Sequence, residues 1–319
     1  MKTILITGGA GFIGSSLIDE LFIENPNLYI INIDNFDGFY AKEIKEKNIQ
    51  KQLSNPNYRV LSLDINHPKA VSDALHNIEI DSIVHLAAKA GVRPSIQNPH
   101  GYFETNVMGT LNMLELAKDK KVRKFVFASS SSVYGSNPNV PWSENDLNLE
   151  PISPYAASKI AAEKVCQTYA HLYGLDISAL RFFTVYGPRQ RPDLAIHKFF
   201  KLALENKPIP FYGDGSTQRD YTYIDDIVSG IKGAMNYKGK GFEVFNLGNH
   251  QTVSLKELVK AIGETLGLEL LLDKQPMQAG DVEKTYADIG KALTDLNYYP
   301  KMKLKEGLGI FYKQLNIKK

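Results

Sequence analysis

The chain has 319 residues, of which 43% are hydrophobic and 23% charged, a composition typical of a folded protein rather than a disordered one. Its 37 basic and 35 acidic residues leave a formal charge of +2, which gives no electrostatic basis for binding nucleic acid or an anionic membrane surface. The single cysteine, Cys166, excludes an internal disulfide and a cysteine-based metal cluster, and we expect it to be a small buried residue. We therefore expect neither nucleic acid nor a metal ion as a partner.

Short apolar runs alternate with amphipathic segments through the first half of the chain. The runs KTILIT, LYIINID, YRVLSL, DSIVHLA, KFVFAS and DISALRFF are apolar enough for strands that are buried on both faces. Between them lie a helix from about Gly11, a long helix from Asn106 to Ala117 and a helix that holds Tyr155. This alternation predicts an α/β fold with a doubly wound, Rossmann-type parallel sheet.

The character of the sequence changes after about Thr184. Loops rich in Gly, Pro and Arg, such as VYGPRQRPD, are interspersed with amphipathic segments such as SLKELVKAIGETLG and short strands such as FEVFNLG. We predict a Rossmann domain at residues 1–183 and a smaller α/β part at residues 184–319, mainly substrate-binding, from which some segments return to the Rossmann domain. The cleft between the two parts is the expected ligand site.

The N-terminal segment predicts the location of the protein. MKTILITGGAGFIG enters an apolar strand directly, without a small-residue cleavage site. No apolar run approaches the ~18 residues that a membrane span needs. We expect a cytoplasmic protein.

Three glycines follow the first apolar run and open a helix: Gly8, Gly11 and Gly14. A tight turn, a close approach of backbone amides to a pyrophosphate and close packing of helix on strand each require a glycine. The next apolar run ends at Asp34, 20 residues after Gly14, where a carboxylate can accept from the ribose hydroxyls of NAD and would repel a 2′-phosphate. Strand, turn, helix and acid together favour an NAD site over a glycine turn without a ligand.

Tyr155 and Lys159, in the stretch SPYAASK, stand four positions apart on a predicted helix, after a run of serines at positions 129–132. A phenol, an ammonium one turn away and a nearby hydroxyl such as that of Ser130 can together take a proton from an alcohol. The ordinary tyrosine pKa of ~10 falls when a positive charge stands close by. Tyr155 is therefore a candidate base, and the alternative for the pair taken alone is an ordinary exposed helix pair.

The order of the motifs is similar to that of the extended short-chain dehydrogenase/reductases. The chain resembles the members that remodel nucleotide sugars, and within them the UDP-glucuronate and UDP-glucose 4-epimerases. GVR followed by SIQNP, the RPD segment and AGDVEKTYADI are most similar to the glucuronate branch, although Ala279 stands where that branch often has proline. The matching segments are TGGAGFIG, DNFDGFY, HLAAKAGVRPSIQNP, TNVMGTLNMLE, FASSSSVYG, SPYAASK, LRFFTVYGPRQRPD, GDGSTQRDYTYIDDI and PMQAGDVEKTYADI.

The resemblance implies NAD as the cofactor. It places Asp64, which is expected to end the third strand, at the adenine, and the backbone of residues 87–89 along the cofactor. Ordinary loop residues are the alternative at these positions. His85, in the preceding strand, is expected to be a packed core residue. The implied cofactor-binding residues are Gly8, Gly11, Phe12, Ile13, Gly14, Asp34, Asn35, Asp64, Ile65, Ala87, Ala88, Lys89, Asn106, Tyr155 and Lys159.

The resemblance also implies the reaction. Tyr155 would be the base, Lys159 would hold the nicotinamide ribose and lower the pKa of the phenol, and Ser130 would bond the reacting hydroxyl. Sugar dehydratases of the superfamily carry an Asp and Glu pair where this chain has Ser131 and Ser132, and decarboxylating relatives carry a glutamate in place of Ser132. Without these acids we expect oxidation at C4, turning of the ketone and return of hydride to its other face.

We therefore expect a UDP-sugar 4-epimerase, an isomerase that converts UDP-glucuronate to UDP-galacturonate. The alternatives are a UDP-glucose or UDP-N-acetylglucosamine 4-epimerase and, more remotely, an NAD-binding regulator without catalysis. A homodimer is the default, formed through the helices that carry Asn106 and Tyr155.

The UDP-sugar needs cationic and hydroxyl groups around it. Arg219 and Arg191 are candidates for holding the diphosphate, with exposed solvating side chains as the alternative. Asp281 is a candidate acceptor for the nucleotide ribose, with a surface loop as the alternative. We hypothesise that the carboxylate of a glucuronate is kept charged, which raises the barrier to loss of carbon dioxide from the β-keto acid. The groups for this are Ser131, Ser132 and Thr184, with Arg93 or Arg191.

Overall fold

The structure, a computed structural model, describes residues 2–277 and 282–316. Its strands, in chain order, are β1 (Thr3–Thr7), β2 (Tyr29–Ile33), β3 (Tyr58–Leu61), β4 (Ser82–His85), β5 (Lys124–Ser130), β6 (Asp176–Phe182), β7 (Thr184–Tyr186), β8 (Ile209–Tyr212), β9 (Gln218–Arg219), β10 (Tyr221–Tyr223), β11 (Phe242–Leu247), β12 (Val253–Ser254) and β13 (Leu272–Gln275).

Helices connect most of these strands. They are α1 (Phe12–Glu24), α2 (Lys42–Ile49), α3 (Pro68–Ala74), α4 (Val92–Gln97), α5 (Pro99–Phe103), α6 (Gly109–Asp119), α7 (Pro154–Tyr173), α8 (Ala195–Leu204), α9 (Ile224–Asn236), α10 (Leu255–Leu266), α11 (Gly290–Leu296) and α12 (Leu304–Asn316). Short 3-10 turns lie at Gln50–Gln52 and Ser131–Tyr134, and a π-helical turn at Glu104–Met108 joins α5 to α6.

The central sheet has seven parallel strands in the order β11-β6-β5-β4-β1-β2-β3. The chain moves outward from β1 to β3 on one side, then returns to β4 and moves outward on the other side. The direction therefore reverses between β1 and β4, and in such sheets ligands bind beyond the carboxyl ends of the strands at this point. The predicted doubly wound parallel sheet is confirmed.

The C-terminal half contributes directly to the central sheet. β11 pairs with β6, and α9 packs against α1 and β5. Three two-stranded sheets lie outside the central one: β7 with β10, β8 with β13 and β9 with β12. The domain boundary at residues 183–184 stays a prediction.

Apolar side chains fill both faces of the central sheet, as the unbroken apolar runs predict. All seven residues of β5 are buried. Cys166 on α7 is a free, buried residue, as predicted, and packs in the core between α6, α7 and the sheet. Among the described residues no helix is long and apolar enough to cross a membrane.

Candidate active site

The glycine turn lies in the crevice between β1 and β4. Gly8 has φ +72°, and a Cβ atom there would lie 2.8 Å from the amide nitrogen of Ala87, just beyond β4. A Cβ on Gly14 would lie 2.4 Å from the carbonyl oxygen of Gly8, so only glycine lets α1 begin this close to the turn. Gly11 caps α1 without a side-chain hydrogen bond. The turn thus presents backbone amides at a helix N-terminus, which is suited to a phosphate.

The carboxylate of Asp34 lies beside this turn. One oxygen accepts from the amide of Ala10 at 3.1 Å, the other accepts from the amide of Phe36 at 2.9 Å, and Lys45 Nζ lies 3.8 Å away. Asp34 is 6% exposed. The acid predicted from its spacing after the glycines is therefore fixed next to them.

The remaining candidate cofactor-binding residues lie after β2, after β3 and at the start of α1, and their side chains point in different directions. Asn35 donates to the Asp64 carboxylate at 2.9 Å, which joins two predicted positions, although β3 ends at Leu61 rather than at Asp64. Ile65 is buried, and its side chain faces the start of α6. Phe12 and Ile13 pack their side chains in the core, so their backbone is the part that can face a ligand in the crevice.

Asn106 lies in the π-helical turn and fixes the segment after β4. Its side chain accepts from the amide of Lys89 at 2.8 Å, donates to the carbonyl of Lys89 at 2.9 Å and donates to Ser158 Oγ at 2.9 Å. Ala87 and Ala88, which precede Lys89, are half-buried. Asn106 therefore connects the cofactor-lining segment to α7, the helix that carries Tyr155.

His85 is a core residue, as predicted. Its ring nitrogens bond the hydroxyls of Thr7 at 2.7 Å and Thr110 at 3.1 Å, and the ring stacks on Phe127. Burial lowers the pKa of His85 to about 3, with the charge of Lys159 acting in the same direction. The imidazole is therefore neutral at ordinary pH.

Tyr155 and Lys159 lie on the first two turns of α7. Ser153 caps this helix by accepting from the amide of Ala156, and Pro154 occupies its first position. Ser130, at the end of β5, lies beside the Tyr155 phenol, and hydrogen bonding by its hydroxyl acts to lower the pKa of that phenol. The structure thus brings together the predicted phenol, hydroxyl and ammonium.

The four adjacent serines face different partners. Ser129 donates to the carboxylate of Glu163 on α7, whereas Ser130 faces Tyr155. Ser131 and Ser132 lie in the 3-10 turn beyond the strand and are half-buried, and the amide of Ser132 donates to Ser130 Oγ at 3.2 Å. The hydroxyl on the Tyr155 side of the strand end is therefore that of Ser130.

That Lys159 lowers the pKa of Tyr155 stays a prediction. Burial raises the pKa of Tyr155 above its ordinary value, and the opposing contributions come from the hydrogen bond with Ser130 and the charge of Arg191. Lys159 directs its ammonium to a carbonyl oxygen of β5 instead. The charge of Arg191 favours the phenolate.

Arg191 is held firmly in this position. Its Nε and Nη2 donate to the two carboxylate oxygens of Asp193 at 3.0 and 2.8 Å, and its guanidinium lies 5.0 Å over the ring of Phe39. Tyr102 contacts the Tyr155 ring edge to face, with centroids 6.1 Å apart. Of the predicted arginines, Arg191 is the one that the structure brings to the phenol.

The other predicted substrate residues lie at several places. Thr184 begins β7 and is half-buried, and Arg219 lies on β9 with Nη1 donating to a carbonyl oxygen at 2.9 Å. Arg93 on α4 is exposed, with its guanidinium 5.7 Å over the ring of Tyr212. Asp281 lies outside the described residues.

Sequence reasoning missed a buried ion pair behind the site. Glu163 accepts from Arg181 Nε at 3.0 Å and from Nη2 at 2.8 Å, and both side chains are 4% exposed. The available signal was the position of Glu163, one helical turn after Lys159 on the same face. The partner of Glu163 is Arg181 on β6. The two meet because α7 packs on the sheet, and no local sequence pattern predicts this contact.

Comparison with known proteins shows which family the chain belongs to. Residues 5–310 match the GDP-mannose 4,6 dehydratase family. The chain belongs to this family. The GDP-mannose 4,6 dehydratase family includes extended short-chain dehydrogenase/reductases, so the resemblance stated from the sequence is confirmed.

Within the GDP-mannose 4,6 dehydratase family the chain is similar to epimerases over its full length. It is 41% identical over 311 residues to a UDP-glucuronate 4-epimerase of Thermodesulfobacterium geofontis, covering 97% of this chain and 94% of that protein. The UDP-glucuronic acid 4-epimerase of Bacillus cereus, solved with UDP-glucuronic acid and NAD, has a TM-score of 0.93 at 37% identity, covering 99% of this chain and 100% of that one. A UDP-glucose 4-epimerase of Thermotoga maritima, solved with UDP-glucose, has a TM-score of 0.90 at 33% identity, covering 99% of each chain.

Proposed function

We propose that this protein is an NAD-dependent isomerase that converts UDP-glucuronate to UDP-galacturonate by epimerisation at C4. The observation that carries the proposal is the meeting of Tyr155, Ser130 and Lys159 at the sheet crevice, in a chain that is similar over its full length to UDP-glucuronate 4-epimerases. One of those relatives is solved with both UDP-glucuronic acid and NAD.

The residues of the crevice fit NAD. The glycine positions keep side chains away from the N-terminus of α1, and the carboxylate of Asp34 is fixed beside the turn, where it can accept from ribose hydroxyls. We assign the phosphates to the amides of the turn from Gly8 to Gly14, and the adenosine end to Asn35 and Asp64. When bound, NAD supplies the hydride acceptor and donor.

Tyr155 is proposed to take the proton of the C4 hydroxyl and later to return it. Its hydrogen bond with Ser130 and the charge of Arg191 both favour the phenolate against burial. We assign the bond to the reacting hydroxyl to Ser130. The Lys159 ammonium donates one hydrogen bond to a strand carbonyl, and its other N–H groups can donate to the nicotinamide ribose.

Ser131 and Ser132 support a reaction in which the hydride returns. Elimination of water across C5 and C6 needs a second acid and base, and neither serine can act as one at neutral pH. The 4-keto sugar is thus expected to rotate in the site and to be reduced on its other face. The family name refers to dehydratases, but this chain lacks the acids at these two positions.

A glucuronate substrate adds a carboxylate that must stay charged, because a 4-keto uronate is a β-keto acid. We assign this carboxylate to Ser131, Ser132 and Thr184, with Arg93 or Arg191, and the diphosphate to Arg219. Asp281 is retained as the candidate for the nucleotide ribose. Arginine is suited to these contacts because its fork of donors matches a carboxylate or a phosphate.

A homodimer through the helices of Asn106 and Tyr155 is part of the proposal. Large apolar side chains on this side of the molecule are exposed, as an interface would require. They are Phe103 (41% exposed), Met108 (51%), Leu172 (60%) and Tyr173 (48%). The cytoplasmic location expected from the sequence stays a prediction.

Parallel incubations test the substrate. The purified protein is given UDP-glucuronate, UDP-glucose or UDP-N-acetylglucosamine at equal concentration, and the 4-epimers and released carbon dioxide are measured. We expect the fastest turnover with UDP-glucuronate and epimer in excess of carbon dioxide. Faster turnover of UDP-glucose would favour the second candidate, a UDP-glucose 4-epimerase, which the similarity to the Thermotoga maritima structure supports. Dominant release of carbon dioxide would contradict the assigned carboxylate site.

A further inference from the structure

The end of β5 is joined to α7 by a regular set of side-chain contacts. Three consecutive residues of the strand each meet one of three side chains spaced four apart along the helix. The Lys159 ammonium donates to the strand carbonyl at 2.7 Å, and the other two contacts involve serine hydroxyls. The pairs are Ala128 with Lys159, Ser129 with Glu163, and Ser130 with Tyr155.

Glu163 is the member of this set that the proposed reaction does not use. Its side chain is 4% exposed and accepts three hydrogen bonds, two from Arg181 and one from Ser129. Arg181 also stacks its guanidinium 4.8 Å over the ring of Tyr134. The carboxylate is therefore fixed in position, one helical turn beyond Lys159.

A buried ion pair seldom stabilises a fold more than apolar side chains of the same volume would. The pair between Glu163 and Arg181 nevertheless lies next to Lys159, a second buried cation that is 3% exposed. Without the carboxylate, two desolvated cations would share this part of the interior. Glu163 is paired with Arg181, and its charge also favours the protonated form of Lys159.

The other groups around Lys159 do not replace this negative charge. Burial lowers the pKa of Lys159 to about 8, and Cys166 and Glu163 act in the opposite direction. The thiol of Cys166 is neutral at working pH because burial raises its pKa well above the usual range. On β4, His85 is neutral, and on β6, Arg181 is a cation. On α7 itself, burial raises the pKa of Tyr155.

We propose that Glu163 is a positioning residue for the epimerisation, which keeps Lys159 charged and, through Ser129, holds the strand end that presents Ser130 to Tyr155. This inference rests on the proposed function. It assigns a role to the ion pair that stability alone does not explain.

The variant Glu163→Gln tests the positioning role of Glu163 through the pH dependence of kcat. An amide keeps the size of the side chain but removes the charge, so Lys159 should lose its proton at lower pH. We expect the limb of the kcat profile that reports Lys159 to move to lower pH by about one pH unit. Glu264→Gln, which removes an exposed carboxylate from α10, is the control and should leave the limb in place.

Bound NAD and cooperative urea unfolding show whether the variant is folded. If Glu163→Gln is not, the double variant Glu163→Gln/Arg181→Met removes both charges, leaves no lone buried arginine and should show the same displaced limb. An unchanged limb in a folded variant would overturn the inference. Absence of turnover in the unaltered protein would overturn the proposed function, and this inference with it.

Discussion

The guanidinium of Arg191 lies 5.0 Å over the ring of Phe39, and the carboxylate of Asp193 holds it from the side. Phe39 belongs to the segment that follows β2, five residues after Asp34, whereas Arg191 lies in the loop after β7. The charge of the same guanidinium favours the Tyr155 phenolate. Arg191 thus connects the segment beside the glycine turn to the base.

Replacing Arg191 by methionine should make Tyr155 a base only at higher pH. The pKa of Tyr155 is already raised by burial, and removal of the nearby cation raises it further, so less phenolate is present at neutral pH. We expect kcat at neutral pH to fall by at least about tenfold and the limb of its pH profile that reports Tyr155 to move to higher pH.

Arg191→Lys is the control for charge. It keeps a cation but loses the paired donors that bond Asp193, so it should move the limb that reports Tyr155 less than methionine does. Equal displacement in the two variants would show that the charge of Arg191 does not act on the phenol.

Tyr155→Phe should abolish epimerisation while the protein keeps its NAD. The substitution removes the hydroxyl that bonds Ser130 but keeps the ring that packs against Tyr102. We expect kcat to fall by at least about a hundredfold. Product analysis measures turnover, and the absorbance of released cofactor after denaturation measures NAD. Full turnover in this variant would refute the assigned base.

Much of the fold could be predicted from the sequence because its signals are local. Six apolar runs gave six strands of the central sheet, and the glycine spacing gave the crevice between β1 and β4. β11 was recognised as a strand, but not as the seventh strand of this sheet. Its pairing with β6 joins segments that are distant in sequence, and no local pattern encodes that contact.

The candidate site also has one part that local sequence predicts and another part that depends on contacts between distant segments. Tyr155, Lys159 and Asp34 carry their spacing in the sequence, and they lie around the crevice, while their roles stay predictions. The pairing of Glu163 with Arg181 and the stacking of Arg191 on Phe39 depend on how distant elements meet. The pKa of Tyr155 could not be predicted either, because burial outweighs the nearby charges and burial is a property of the whole fold.

Gly14→Ala should disrupt the cofactor turn. A Cβ there would lie 2.4 Å from the carbonyl oxygen of Gly8, and the three nearest atoms it would meet all belong to the backbone of Gly8 and Gly9, which leaves little room for relief. We expect a loss of about 1–3 kcal/mol in the free energy of unfolding and loss of bound NAD. The matched helical control is Gly309→Ala, since a Cβ at Gly309 meets no atom within 4 Å among those described. It should be neutral or stabilise by up to about 1 kcal/mol. Retained NAD in Gly14→Ala would contradict this role.

Asp220→Asn should destabilise the fold and change its pH dependence. Asp220 is fully buried and accepts from the backbone amides of Asn249, His250 and Ala287. An amide would direct donors at some of these N–H groups, at a cost of about 1–3 kcal/mol in the free energy of unfolding. Urea unfolding measures the loss, with the exposed Asp73→Asn as control.

The sign of the pH effect follows from the pKa of Asp220. Burial raises it to about 6, although the amides and Thr222 act in the opposite direction. Because the folded form then binds the proton more tightly than the unfolded form, the contribution of this group to stability falls as pH rises from about 4 to about 6. The difference in unfolding free energy between the unaltered protein and Asp220→Asn should follow this step. A difference that is constant with pH would contradict the raised pKa.

UDP-glucuronate deuterated at C4 tests most directly whether the hydride removed from C4 returns to the same carbon. After incubation with the purified protein in ordinary water, the UDP-galacturonate is isolated and its C4 label is measured by mass spectrometry and NMR. If Tyr155 only moves a proton and the same hydride returns to the other face of the sugar, the product keeps the deuterium at C4. Loss of the label to solvent, or accumulation of a 4-keto or decarboxylated sugar with reduced cofactor, would contradict the proposed epimerisation.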